Sequence, residues 1–240
     1  MINVNLNADL GEGTNIEKVI MPFLSSCSIA CGGHTGDADT MSEAIQIAVE
    51  SNVKIGAHPS YPDKDGFGRI PISISNKDLS KSLISQINSL KQILNDFQIN
   101  LDHIKPHGAL YNISAKNYDL AMLLIEVIIQ NFDDVFLYVP SGSLIEKLAI
   151  ENSVKIKKEV FLDRNYNSDN SLVSRNNDNA IIKSSKIMFD RIENITKNGF
   201  LLSISGKKIH LQADTFCIHG DSPNIVDYLN ELNDICNEKI

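Results

Sequence analysis

Residues Asn3-Val4-Asn5-Leu6-Asn7-Ala8-Asp9 change polarity at every step. Side chains alternate faces along a strand, so Val4, Leu6 and Ala8 share one face and Asn3, Asn5, Asn7 and Asp9 the other. The same two-faced writing returns along the chain. His103, Lys105 and His107 oppose Ile104, and Gly56 and His58 oppose Val53, Ile55 and Ala57. Glu159, Phe161 and Asp163 oppose Val160 and Leu162, and Cys217, His219 and Asp221 oppose Phe216 and Ile218. Each apolar face can pack beneath a helix. The polar faces then point inward and must form one hydrogen-bonded network, because buried polar groups without partners are costly.

Strands are expected at Asn3–Ala8, Cys27–Ala30, Val53–Ala57, Leu101–Lys105, Val135–Val139, Val154–Leu162, and Leu201–Ser205 with Thr215–Ile218. Between them lie segments of helical period. The clearest is Asn76–Gln98, with Leu79, Leu83, Ile87, Leu90, Leu94 and Phe97 on one stripe and Ser75 as its cap. Asp39–Ser51 and Asn224–Asn237 are two more, the latter following Ser222-Pro223. Alternating strands and helices with short connections imply a mostly parallel sheet. Seven or so such repeats in 240 residues fit one domain, a closed or nearly closed βα barrel. A doubly wound open sheet is the alternative. Asp163–Ala180, rich in Asn, Asp and Ser, is expected to be mostly loop.

Composition narrows the function. Lys and Arg number 22 against 30 Asp and Glu, a net charge of −8, and an acidic chain repels phosphate backbones. No apolar run approaches the roughly 20 residues that span a bilayer. Four cysteines form no disulfide framework in a chain of this size, and the first residues lack the basic and apolar regions of a signal peptide. A soluble cytoplasmic protein with free thiols is expected. No P-loop, G-x-G-x-x-G, H-E-x-x-H or G-x-S-x-G motif occurs.

The charged members of the polar faces fall at the C-terminal ends of strands, where parallel βα architectures carry their active sites. Asp9 ends the first strand, with Gly11 and Glu12 following. Gly32-Gly33-His34-Thr35-Gly36-Asp37 offers backbone donors, His34 and Asp37 before a helix. Gly56-Ala57-His58-Pro59 leads to Gly66-Phe67-Gly68-Arg69, a stiff loop whose Arg69 can grip a carboxylate with two hydrogen bonds. In His103-Ile104-Lys105-Pro106-His107-Gly108-Ala109-Leu110-Tyr111-Asn112, an inward lysine needs a carboxylate partner to keep its charge, and His107 is the natural proton-transfer group. His103 sits deeper and reads as structural, and His210 as a surface residue in a hairpin.

In combination these motifs resemble the LamB/YcsF family. The resemblance is carried by Asn5-Leu6-Asn7-Ala8-Asp9-Leu10-Gly11-Glu12, Ile29-Ala30-Cys31-Gly32 with His34 and Asp37, Gly56-Ala57-His58-Pro59, Gly66-Phe67-Gly68-Arg69, Lys105 through Asn112, Asp163-Arg164 with Tyr166, and His219-Gly220-Asp221. The chain departs from the family pattern at Gly33, Cys27 and Ser28, and at Asn170 and Ser174 in the run that ends at Arg175. The resemblance implies a seven-stranded barrel of the glycoside hydrolase/deacetylase type. It implies the role of the A component of a prokaryotic 5-oxoprolinase, a cyclic amide hydrolase that opens 5-oxo-L-proline to L-glutamate with subunits B and C and with ATP. With no P-loop here, ATP is expected to be handled by the partners.

In that reading Asp9 and His107 form the acid/base pair, Lys105, His34 and His58 stabilise developing negative charge, and Arg69 holds the substrate carboxylate. The other members of the motifs, Asn7, Glu12, Asp37, Tyr111, Asp163, Arg164, Arg175, His219 and Asp221, are expected to line the substrate site. Two alternatives stay open. One is a metal-dependent deacetylase-like hydrolase acting alone, with a divalent ion on Asp9, His34 and His58. The other is a non-catalytic subunit that presents substrate to its partners.

Overall fold

The computed structural model describes residues 4–13, 16–220 and 224–238. In chain order the elements are β1 (Leu6–Leu10), α1 (Glu17–Ile20), β2 (Ser26–Ala30), α2 (Ala38–Glu50), β3 (Lys54–His58), α3 (Asn76–Asp96), β4 (His103–Ile104), α4 (Gly108–Ser114), α5 (Tyr118–Asn131), β5 (Phe136–Pro140), α6 (Leu144–Glu151), β6 (Ile156–Phe161), α7 (Ser185–Asn198), β7 (Phe200–Leu202), β8 (Lys208–His210), β9 (Thr215–Cys217) and α8 (Ile225–Glu238). Seven strands close a barrel in the order β1-β2-β3-β4-β5-β6-β9. All seven pairings are parallel, and β9 joins β6 on one side to β1 on the other. The closed barrel replaces the open-sheet alternative.

The apolar faces behave as their alternation dictates. Leu6, Ala8 and Leu10 of β1 are buried, and with Ile29, Ile55, Ala57, Ile104, Leu137 and Val160 they belong to the core under the helices. The α3 stripe Leu79, Leu83, Ile87, Leu90 and Leu94 is buried. Ser75 caps this helix, its Oγ accepting from the Asp78 amide, and the helix ends at Asp96 with Phe97 as its C-cap, two residues before the expected end.

Three strand expectations change. The first strand runs from Leu6 to Leu10 rather than Asn3 to Ala8, because its ladder to β2 pairs Asn7 with Ser26 through Leu10 with Ile29; Asn3 lies outside the described residues. The regular part of β4 is only two residues long, although Asp102 and Lys105 still donate to Ile55 and Ala57 of β3. Pro106 then removes the next backbone donor. Leu201–Ser205 does not enter the barrel. The chain turns back at Gly206, at φ +78°, and β7 pairs antiparallel with β8 outside it. Thr215–Cys217 alone supplies the seventh strand. His210 is exposed in that hairpin, as expected.

A lower polar layer fills the barrel beneath its mouth. His103 is fully buried between Asp102 (Nδ1 to Oδ1, 3.1 Å) and Ser28 (Nε2 to Oγ, 3.1 Å), and it stacks on Tyr138. Its ring covers Gly56, where an added Cβ would lie 2.2 Å from His103 Nε2. Gly56 is therefore required by packing. No helix among the described residues is long and apolar enough to cross a membrane. All four cysteines are free thiols.

Candidate active site

The strand ends deliver their polar side chains to one cavity of about 1050 Å³ at the barrel mouth. Backbone hydrogen bonds knit the loops around it. The His107 amide donates to the Pro59 carbonyl, the Ala109 amide to Gly68, and the Gly68 amide to Asp63. Gly68 adopts φ +61° and packs against the side chains of Ser60, His34 and His107, with 3.0–3.1 Å left for any added Cβ. Only glycine gives both that backbone angle and that clearance.

Lys105 is the centre of the floor. Its Nζ lies 2.9 Å from Asp9 Oδ1 and 2.8 Å from Glu159 Oε1. It also donates to Asn7 Oδ1 (3.3 Å) and Cys217 Sγ (3.2 Å). Burial works to lower its pKa, but the carboxylates of Asp9 and Glu159 outweigh burial and hold it well above the usual lysine value. For Asp9 burial works in the opposite direction and is outweighed by His58, Lys105 and His219, so its carboxyl stays well below its usual range. Of those three, Lys105 is the permanent charge. Glu159 spends its other oxygen on the Tyr111 hydroxyl, which donates at 2.6 Å. Burial and then the Glu159 charge push the Tyr111 phenol well above its usual pKa.

Beside this ion cluster stand three imidazoles. His58 Nδ1 donates to the Lys105 carbonyl at 2.7 Å, and its Nε2 lies 3.4 Å from Asp9 Oδ2. His107 Nε2 donates to the Phe67 carbonyl at 3.0 Å, and its Nδ1 lies 2.9 Å from His58 Nε2 and 3.4 Å from Glu12 Oε1. His34 stacks flat on His107 and places Nε2 3.0 Å from Glu12 Oε1. Burial, then His34, lowers the His107 pKa to about 4. Burial also pushes His58 well below the usual histidine value, with Asp9 opposing. On the β9 side, the His219 amide and Nδ1 both donate to Asp163. Burial opposes the charge on His219, but Asp163 raises its pKa all the same.

The structure therefore sorts the expected residues. Asp9, Glu12, His58, Lys105, His107, Tyr111, Arg164 and His219 line the cavity, with Arg69 and Arg175 exposed at its rim. Lys105 is changed in role, since its hydrogen bonds are taken by buried partners rather than offered to a ligand. His34 is buried behind Glu12 and His107. Asn7 is not a substrate contact: it is fully buried below the floor, accepting from Lys105 and donating to Thr215 Oγ1. Asp37 is not one either. It is the exposed N-cap of α2, its carboxylate accepting from the Thr40 amide in a capping box. Asp163 is spent on orienting His219. Arg164 both lines the cavity and braces its loop, donating to the Val173 carbonyl at 2.7 Å. Asp221 lies outside the described residues. The expected ligand set Asp9, His34 and His58 is not the one that converges. Donor atoms of Glu12, His34 and His107 lie within 4.8 Å of one another, as do those of Asp9, Cys217 and His219.

Glu159 is the member of the floor that motif reading misses. Its place on the inward face of the sixth strand is legible, and a buried lysine already requires a carboxylate, but nothing in the sequence says which strand faces Lys105. Neither thiol near the site, Cys31 or Cys217, is activated. Burial drives Cys217 well above its usual pKa in spite of Lys105 and lifts Cys31 to about 12.

A parallel βα barrel with ionised carboxylates, neutral imidazoles and basic residues around one mouth is equipped to bind a small anionic molecule and move protons on it. The chain belongs to the LamB/YcsF family, whose profile matches residues 4–239. It is 35% identical over 243 residues to a Pyrococcus horikoshii protein named as the A component of 5-oxoprolinase, covering 99% of this chain and 95% of that protein. It is 37% identical over 232 residues to the protein of that name from Erwinia tasmaniensis, covering 96% and 94%. The lactam utilization protein from Thermus thermophilus superposes with a TM-score of 0.89 at 28% identity, covering 98% of this chain and 97% of that one. A GH18 chitinase from Pseudoalteromonas aurantia shares the fold alone, with a TM-score of 0.55 at 10% identity.

Proposed function

We propose that this chain is the hydrolytic subunit of an ATP-dependent 5-oxoprolinase, opening an activated 5-oxo-L-proline ring to L-glutamate together with subunits B and C. The observation that carries the proposal is the pairing of an acid and imidazole floor (Asp9, Glu12, His58, His107) with exposed cations at the rim, Arg69, Lys116 and Arg175. The names of the relatives supply the substrate.

An unactivated five-membered lactam has a poor leaving nitrogen, so its carbonyl oxygen must first be made electrophilic, as phosphorylation by ATP would do. The chain has no P-loop motif. Phosphoryl transfer is accordingly assigned to the partner subunits. Arg69 anchors the ring carboxylate. Asp9, held ionised by Lys105, takes the proton of the attacking water. The new carbon–oxygen bond forms at the activated carbon, the carbon–nitrogen bond breaks, and the proton returns to the nitrogen. The released acyl phosphate takes a second water to give glutamate and phosphate. An activated intermediate of this kind is labile, so it passes directly between subunits. The loop 163–180, whose residues Asp169–Asn176 edge the cavity, is assigned to the docking surface.

The test is reconstitution with subunits B and C, following 5-oxoproline loss and ADP release together. The expected result is no turnover by this chain alone, coupled turnover by the three together, and a loss of about 10²–10⁴-fold for Asp9→Asn. Turnover by the purified chain with ATP, or equal ring opening by B and C without it, would refute the division of labour.

A further inference from the structure

The hydrogen bonds of two histidines leave a pair of nitrogens in conflict. A backbone carbonyl can only accept, so the Lys105 carbonyl fixes the proton of His58 on Nδ1 and the Phe67 carbonyl fixes that of His107 on Nε2. The remaining nitrogens, His58 Nε2 and His107 Nδ1, then face each other as lone pairs at 2.9 Å. Glu12 Oε1, another acceptor, stands 3.4 Å from the second and 3.9 Å from the first. Three acceptors lie together with no donor among themselves; Asp9 Oδ2, 3.4 Å from His58 Nε2, adds a fourth, and His34 Nε2 reaches only Glu12 Oε1.

The geometry points to a divalent transition-metal site formed by His58 Nε2, His107 Nδ1 and Glu12 Oε1. Ligand atoms about 2.1 Å from one cation lie about 3.0–3.4 Å apart at octahedral or tetrahedral angles. Two of the three edges are 2.9 and 3.4 Å, and the 3.9 Å edge corresponds to a wider angle. A single shared proton would reconcile the two imidazoles but leave the carboxylate beyond hydrogen-bond distance of both; a cation satisfies all three. The outer contacts are those of metal ligands. Each ring donates its other N–H to a backbone carbonyl, which fixes the tautomer a metal needs. His34 Nε2 lies 3.0 Å from Glu12 Oε1, where its N–H orients that carboxylate, and its buried Nδ1 has no hydrogen-bond partner. Two imidazoles and one carboxylate favour zinc and its first-row neighbours over magnesium or calcium. With the cation held there, His107 is withdrawn from proton transfer and Asp9 remains as the base.

The site does not depend on the lactam reading, and its test needs no substrate. Full-length protein is stripped with a chelator, dialysed, and titrated calorimetrically with Zn²⁺, then with Co²⁺ while the visible absorption of bound cobalt is followed. Wild type is expected to bind one equivalent. Glu12→Gln and His107→Ala should lose more than about 100-fold in affinity, and His34→Ala, an orienting neighbour, about 10–100-fold. Glu151→Gln, exposed on α6, should bind as wild type does. Circular dichroism checks that each variant is folded, and the wild-type cobalt spectrum reports imidazole ligation without any variant. Zinc affinity unchanged in folded Glu12→Gln and His107→Ala, or Mg²⁺ bound in preference to Zn²⁺, would overturn the site. So would an NMR signature of a proton shared between His58 and His107 that persists with zinc present.

Discussion

Replacing Glu159 with glutamine separates charge from shape at the centre of the floor. The substitution is isosteric. The amide can present its oxygen to Lys105 and its nitrogen to a Tyr111 hydroxyl turned to accept, so both contacts survive as neutral hydrogen bonds. What is lost is a unit charge 2.8 Å from Lys105 Nζ, between side chains that are 0% and 1% exposed. At an effective dielectric of about 20, that Coulomb attraction is about 6 kcal/mol. Part of it is offset, because a buried carboxylate also carries a desolvation cost that glutamine does not. Breaking a buried ion pair costs about 3–5 kcal/mol in general. With the hydrogen bonds retained and Asp9 still beside the ammonium, we expect about 2–4 kcal/mol of lost stability. Urea unfolding followed by circular dichroism, extrapolated linearly to water, measures it. Lys105→Met should cost more than Glu159→Gln, since it leaves Asp9 and Glu159 facing one another without the cation between them. A Glu159→Gln stability within about 0.5 kcal/mol of wild type, a change typical of surface sites, would mean that Asp9 alone balances Lys105. The reverse order of the two variants would refute the two-carboxylate account of the floor.

Two further outcomes follow from other parts of the molecule. Burial lowers the His103 pKa below its ordinary 6.5, against the pull of Asp102, so below about pH 6.5 the unfolded chain takes up a proton that the folded chain refuses, and stability falls as pH falls. Urea midpoints at about pH 7.5 and pH 5.5 should differ less in His103→Gln than in wild type; an equal difference would show that His103 does not contribute. Arg69→Ala, at the rim with its guanidinium 4.9 Å from the Phe67 ring centre, should raise KM for 5-oxoproline about 10–100-fold with kcat little changed in the reconstituted system, as the loss of one charged hydrogen bond to the substrate predicts.

The barrel is legible in the sequence because period-2 alternation and strand-end polar residues are local properties. Placing Asn7 and Asp9 on one face, and Lys105 and His107 on one face, needs only the pleat. What is not legible is which side chain of one strand meets which of another. Glu159 escapes a sequence reading because its partner lies on β4, two strands away around the barrel. Asp37 is expected in the site because a motif names residue types, whereas its own position, three before Thr40, makes it a helix cap. The shift of the seventh strand has a local cause that the alternation conceals. Leu201 and Ile209 carry an apolar face as a barrel strand would, but the tight turn through Gly206 commits them to pairing with one another.

The seam between β1 and β9 sets an order in time. Asn5 and Thr215, joined there by a hydrogen bond, are 210 residues apart in the chain. At synthesis rates of roughly 5–20 residues per second, the first strand waits roughly 10–40 s on the ribosome before its second neighbour exists. Through that interval β1 presents an unpaired edge, a template for strands of other chains. Asp9 lies in that first strand and Glu12 just after it, while His219 follows the last, so no shorter nascent chain holds the assembled mouth. Rapid expression should therefore favour aggregation of this protein, and slower translation or chaperones that shield strand edges should raise the yield of active chain without altering the stability of the finished barrel.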